Sequence, residues 1–276
     1  MERQSRVGGA IYGAAIVSLG LVSLVLRNAV PDLEPLPASL PARVLIAMLV
    51  ALILVAAGAS LTADWRARTA ARTVGAVLTV WLVALQLPRV IAQPKNGGAW
   101  VVLWEVAAMA AAIWMFALSS SESDSSRRPP AYVAVGLRIV FGLSFIAFGI
   151  SHFVYHGYVE SVIPAWIPGH SFFATATGIA HIAAGVSLLT RVQEQLATAL
   201  LSVMFGTWVL VLHIPRVIAH PRTGNEWTSM LIAAAMCGGS LIVRAFLATS
   251  AARAPAVQRE VGTSPGLMAV PRRKRA

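Results

Sequence analysis

Only 12% of the 276 residues carry a charge, about half the share of an average soluble domain. So few charges cannot cover a water-facing surface, which excludes a soluble globular enzyme and a disordered protein. Cysteine is nearly missing. Cys237 stands alone, so neither a disulfide scaffold nor disulfide exchange within the chain is open to it. There is no Ser-His-Asp order, no Gly-rich phosphate loop and no pair of carboxylates spaced for acid–base work. Acids are scarce, 11 against 22 Lys and Arg, and the net charge of +11 invites a nucleic-acid reading. That reading needs a basic face on a soluble fold, and nucleic acid is therefore not an expected partner. What the chain has in quantity is apolar sequence, 57% of its residues, with a mean hydropathy of +0.73.

The apolar residues fall in runs long enough to cross a bilayer core, which takes about 20 residues. Eight runs are legible: residues 7–26, 44–63, 73–88 continued through 92, 100–118 interrupted by Glu105, 131–154 interrupted by Arg138, 171–190, 196–214 and 227–243. They are continuous, without the alternation of a barrel wall, and predict helices. The run at 7–26 is too long for a signal-peptide core and reads as a retained first span. With the N-terminus in the cytoplasm, 15 Lys and Arg fall on the inner side and 6 on the outer. That bias predicts both termini inside. The segment 119–130, SSSESDSSRRPP, reads as a flexible cytoplasmic linker. The tail 249–276 reads as disordered, its basic end PRRKRA resting on anionic lipid.

The composition hides a duplication. LPRVIAQPKNGGAW (87–100) recurs as IPRVIAHPRTGNEW (214–227), an offset of 127. The same offset sets Trp81 on Trp208, Gly58 on Gly185, and Pro37 and Pro41 on Pro164 and Pro168; residues 37–100 give 20 identities in 64 positions. The first spans align after a two-residue slip, Gly13 and Gly20 meeting Gly142 and Gly149. Shared Pro, Trp, Gly and Arg carry this match, since apolar residues coincide by chance. The expected fold is all-α and integral to the membrane: eight helices as two tandem four-helix bundles, residues 1–118 and 131–248, in parallel orientation.

The second half contains RIVFGLSFIAFGISHF, VIPAWIP, TGIAHIAAGVSLLTR and WVLVLHIPRVIAHP. An Arg and Gly-rich first helix ending in His-Phe, then a Pro-x-Trp-x-Pro turn, resembles the DoxX-like family of four-helix bacterial membrane proteins. The resemblance covers residues 133–246 and extends more weakly to 7–116. Where such proteins often carry an acid in the second helix, this chain has His181 and, in the first half, Leu54. Glu105 is kept in the fourth helix of the first half, and Ile232 replaces it in the second. The resemblance implies an inner (plasma) membrane location, and it brings in thiosulfate:quinone oxidoreductase and other redox complexes, so that quinone or an oxidoreductase subunit becomes an implied partner. It names no cofactor.

All six histidines lie in the second half, so a site is expected mostly there. His181 falls 11 residues after His170, about 16 Å deeper and near the midplane, where an ionisable residue is a functional candidate or an interhelical hydrogen-bond donor. His152, His213 and Arg216 are expected to converge beneath the outer surface under the Trp166 turn. His152 and His156, four apart, are expected to share a helical face, though two histidines are too few for a metal site. Arg138 snorkels to inner headgroups, and Glu105 either holds its proton or meets a donor such as His213. Arg216, repeated as Arg89, is structural or binds an anionic group. Two functions follow: a redox-accessory, quinone-linked subunit with a His-containing pocket near the outer face, or a non-catalytic binding, transport or assembly factor for a lipid or small metabolite.

Overall fold

A computed structural model describes residues 2–30, 32–119 and 130–262, with side chains up to residue 249. Every regular element among them is helical. Eight helical stretches are long and apolar enough to cross a membrane, and the chain is a multi-pass membrane protein by that measure. In order the helices are α1 (Glu2–Leu26), α2 (Arg43–Thr62), α3 (Ala67–Val80), α4 (Leu87–Ala92), α5 (Gly97–Ser119), α6 (Ala131–Val154), α7 (His156–Val162), α8 (His170–Thr190), α9 (Glu194–Trp208), α10 (Ile214–Ala219) and α11 (Gly224–Gly262). A π-helical turn, Trp81–Gln86, joins α3 to α4, and Val209–His213 joins α9 to α10. Each of these triples makes one span.

The two halves share local geometry to a fine grain. At an offset of 127, α2 and α8, α3 and α9, α4 and α10, and α5 and α11 begin on corresponding residues. Left-handed backbone falls on Ala42 and Gly169, on Asp64 and Arg191, and on Arg66 and Gln193. Gln93 and His220 end their short helices at φ −130° alike. Trp100 Nε1 donates to the Pro94 carbonyl at 3.0 Å, and Trp227 Nε1 to Pro221 at 2.9 Å. Pro88 and Pro215 follow the π turns inside continuous spans, where a proline has no N–H to complete the helical ladder.

The spans do not segregate into two side-by-side bundles, as the sequence predicts. Each is packed on its neighbour in the order α1, α2, α3–α4, α5, α6, α8, α9–α10, α11, and α11 returns to α1. The halves thus interlock in a ring: α1 packs on the last helix of the other half, and α6 on α5. Small residues explain the crossing. A Cβ on Gly238 would stand 2.6 Å from the Gly8 carbonyl oxygen, so only glycine lets these backbones meet. Tyr12, fully buried, donates its hydroxyl to the Met109 carbonyl of α5 at 2.9 Å. Helices α5 and α11 touch each other at the centre, and both are two-thirds buried along their apolar windows, 67% against 22–44% for the other spans. Large apolar side chains such as Leu45, Leu52, Leu200 and Val203 stay exposed, an arrangement that lipid tolerates and water does not.

The last helix continues to Gly262, past Thr249, where the sequence predicts disorder. The stretch from Ala245 to Ala254 is rich in Ala, the best helix former, and extends a helix already nucleated by a span; the helix then runs on through Pro255. The serine-rich segment 120–129 and the basic end 271–276 lie outside the described residues.

Candidate functional site

The first spans of the halves differ in what they bury. At matched positions α1 carries Tyr12, Ile16, Leu19 and Ser23, and α6 carries Phe141, Phe145, Phe148 and His152. Leu54 and Leu78 of the first half correspond to His181 and Phe205. The second half therefore carries aromatic rings and imidazoles where the first half carries a mostly aliphatic core.

His181 sits inside that core, 4% exposed. Its ring stacks on Phe145 with centroids 5.8 Å apart and an interplanar angle of 17°. Phe148 and Phe205 lie at 6.0 and 5.7 Å. The His152 ring is closest, at 4.9 Å. Neither nitrogen of His181 has a hydrogen-bond partner; the Thr177 carbonyl, one turn back, lies near the ring but out of hydrogen-bond geometry. His152 donates Nδ1–H to the Phe148 carbonyl at 2.8 Å, which leaves its Nε2 open.

The sequence predicts His181 well below His152, yet the two are level. Counting residues along each helix places the end of α6 beside the start of α8. Helix α7 and the 163–169 turn intervene, so α6 ends lower than α8 begins. The same break separates His152 from His156: α6 stops at Val154, Tyr155 leaves the helical region at φ −110°, ψ 34°, and His156 starts α7. The two histidines do not share a helical face. His156 instead meets Thr175 Oγ1 at 3.1 Å and Glu160 at 3.5 Å. Among the described residues no three His, Cys, Asp or Glu side chains come together as metal ligands.

The wall between the His pair and the outside is thin. A Cβ on Gly178 of α8 would lie 3.0 Å from His152 Cβ and 3.2 Å from the Phe153 ring. Phe153 also lines an open, almost wholly apolar groove of about 620 Å³ on the outer flank of α6 and α8, with Ile179, Ile182 and Val186. No family model, curated protein or solved structure matches the chain. The reading of this site rests on its own geometry.

The remaining candidates divide into separate groups. Arg216 is clamped by Glu226 in a two-pronged pair, Nε to Oε2 at 2.9 Å and Nη2 to Oε1 at 2.7 Å. It is therefore engaged, and His213, whose Nδ1 is buried without a partner, lies in the field of both charges. Arg89 makes the looser equivalent, 3.5 Å from Asp32 Oδ1. Arg216→Ala strands a carboxylate that is 14% exposed, whereas Arg89→Ala frees one that is 45% exposed. The first change is expected to lower stability by about 1–3 kcal/mol and the second by under about 1, read as paired thermal melts in detergent. A second cleft of about 390 Å³, at the end of the molecule that carries α7, is lined by Glu160, His170, Arg216 and His220 beneath the Pro164 turn. His170 donates Nε2–H to the Pro164 carbonyl at 3.2 Å. Trp166 is 69% exposed and does not line that cleft. Arg138 does not snorkel: it is 7% exposed, 3.5 Å from Glu194 in the first turn of α9. Glu105 makes no side-chain hydrogen bond or ion pair among the described residues, and the charge acting on it is Asp32, not His213.

Sequence reasoning missed the first half's own polar cluster. Glu34, in the loop between α1 and α2, is 3% exposed, and Gln86, at the position of His213, is fully buried. Their signal lies in the alignment: a Gln stands where the other half carries His, two residues before the shared Pro.

Proposed function

We propose that this is a DoxX-like protein of the bacterial inner membrane, a duplicated four-helix unit with both termini cytoplasmic, whose second half binds a quinone-class molecule as a redox-accessory subunit. The matched helix starts, left-handed residues and π turns support the duplication, and the 15-to-6 split of basic residues supports the topology. One observation carries the binding reading: His181 is buried with both ring nitrogens unpartnered, beside the open Nε2 of His152. A buried polar group left this way costs about 1–3 kcal/mol, a cost that binding removes. A quinone supplies carbonyl oxygens to accept from an imidazole N–H, and a flat ring to pack among Phe145, Phe148 and Phe205. It arrives by way of the bilayer, along the apolar groove, and reaches the imidazoles when Phe153 swings off Gly178.

The test is titration of the full chain in lipid nanodiscs with a short-tailed quinone analogue, read by ligand-induced thermal shift. Saturable binding is expected, weakened about 10-fold in His181→Leu for one lost hydrogen bond. Wild-type affinity in both His181→Leu and His152→Leu would sink the site. The apolar lining of the groove favours a second reading, a non-catalytic binding, transport or assembly factor for lipid; phospholipid retained in native mass spectra, with no quinone response, would select it.

A further inference from the structure

Two acceptor oxygens lie buried without donors at the outer end of the first half. Gln86 donates Nε2–H to the carbonyls of Asp32 at 2.8 Å and Leu33 at 3.0 Å, which fixes its amide against the loop that carries Glu34. Its Oε1 then points away from both and has no partner among the described residues; neither has Glu34 Oε2. The Trp81 indole faces the Glu34 carboxyl. Trp81 and Gln86 open and close one π turn, a five-residue step that stacks them on one side of the span. Both side chains are thus held against the same short loop. The donors that face the Glu34 carboxyl are the Val30 amide and the Trp81 indole, and neither satisfies Oε2 or the Gln86 Oε1.

We propose that Glu34 is a proton-binding site, its carboxyl held in the acid form and sharing the proton with the Gln86 amide oxygen. One proton satisfies both orphan atoms, and a carboxylic acid is the group that can supply it. Geometry and electrostatics agree here. Burial pushes Glu34 up to about 7, against the pull of the Val30 amide and the Trp81 indole. The charged groups on the neighbouring elements are Asp32 on the loop, Arg89 on α4, which pairs with it, Arg43 at the start of α2, and Glu105 on α5. The basic groups are committed elsewhere, Arg89 to Asp32 at 3.5 Å and Arg43 to Asn28 Oδ1 at 3.2 Å.

The proton has a structural consequence. Asp32 also accepts from Asn225 Nδ2 at 3.2 Å, a bond from the first half's loop to the last helix of the second. Loss of the Glu34 proton places a second carboxylate two residues from Asp32 and sets that cross-half tie under repulsion. The outer seam between the halves is closed below neutral pH and loosened above it. The unfolded chain releases this proton near the ordinary 4.5 and the folded chain near 7. The stabilisation is therefore complete below about 4.5 and lost as pH rises through 7.

Infrared difference spectroscopy of the full chain in nanodiscs, stepped in pH, tests the proposal. A protonated-carboxyl band is expected to vanish with a midpoint near 7, to be missing from Glu34→Gln and to persist in Glu105→Gln. Gln86→Leu, which leaves every carboxyl in place, is expected to lower the midpoint by about one pH unit for one lost hydrogen bond to the acid form. A midpoint near 4.5, or one unmoved by Gln86→Leu, overturns the shared proton. A midpoint that falls when choline is replaced by sodium also overturns it, by assigning the two oxygens to a metal ion.

Discussion

His181→Leu is expected to raise the melting temperature while weakening the binding of a quinone analogue about 10-fold. The substitution writes into the second half the residue that stands at the matched position of the first, Leu54, itself 1% exposed. It deletes two buried nitrogens that have no partners, a relief of about 1–3 kcal/mol. Lost ring contact with Phe145 and its neighbours returns about 0.5–1.5 kcal/mol of that. The net is a gain of a few degrees, about 2–4 °C per kcal/mol in a chain of this length. A core histidine kept for packing behaves in the opposite way, since its removal weakens the fold. A fall in melting temperature with ligand response intact would show that the imidazole is interhelical glue and not a binding group.

Gly238→Val is expected to abolish the ring. The first added carbon stands 2.6 Å from the Gly8 carbonyl oxygen and 2.7 Å from the Tyr12 amide, and backbone atoms in two packed helices cannot yield as a flexible side chain does. The helices must separate, and the Tyr12–Met109 hydrogen bond on the same face goes with them. A single forced methylene costs about 1–3 kcal/mol, and three carbons at this crossing exceed that. Fluorescence-detected size exclusion is expected to show no monodisperse peak. Gly136→Ala serves as the control: nothing lies within 4 Å of its added carbon, and alanine in a helix gains about 0.5–1 kcal/mol over glycine. A normal elution profile for Gly238→Val would mean that α1 and α11 do not meet as described.

What the chain reveals by itself follows from which properties are local. Span number and span type are local, because run length and charge-free stretches decide them, and all eight spans lie where the runs are. The match of 87–100 to 214–227 is local too, and with it the pairing of Gly58 with Gly185 and Trp81 with Trp208. His181 is legible as an oddity because an ionisable residue inside an apolar run stands out in any context. Its partner is less so. The nearness of His152 depends on how far α7 lifts the chain beyond the end of α6, and a seven-residue helix between two spans has no apolar signature. Glu34 is illegible for the opposite reason: it sits in a short loop whose sequence says surface, and only the fold of that loop beneath Trp81 and Gln86 buries it. Arg138 was visible, but its partner Glu194 reads as an ordinary acid in a helix's first turn. The interlocking of the halves has no sequence period at all, since Gly8 and Gly238 are small residues among many.

The closure of the ring by α1 and α11 orders events during synthesis. Spans enter the bilayer from the N-terminus onward, and α2 through α5 can each dock on the span before them as they arrive. One flank of α1 has no such companion. It waits for α11, which leaves the ribosome on the order of tens of seconds later at about 5–20 residues per second. During that interval the flank of α1 that carries Gly8 at its crossing point faces lipid or whatever insertion machinery shields it. The last span to emerge is therefore the one that seals the first, and a nascent chain stopped before residue 224 holds an open arc where the finished protein holds a ring.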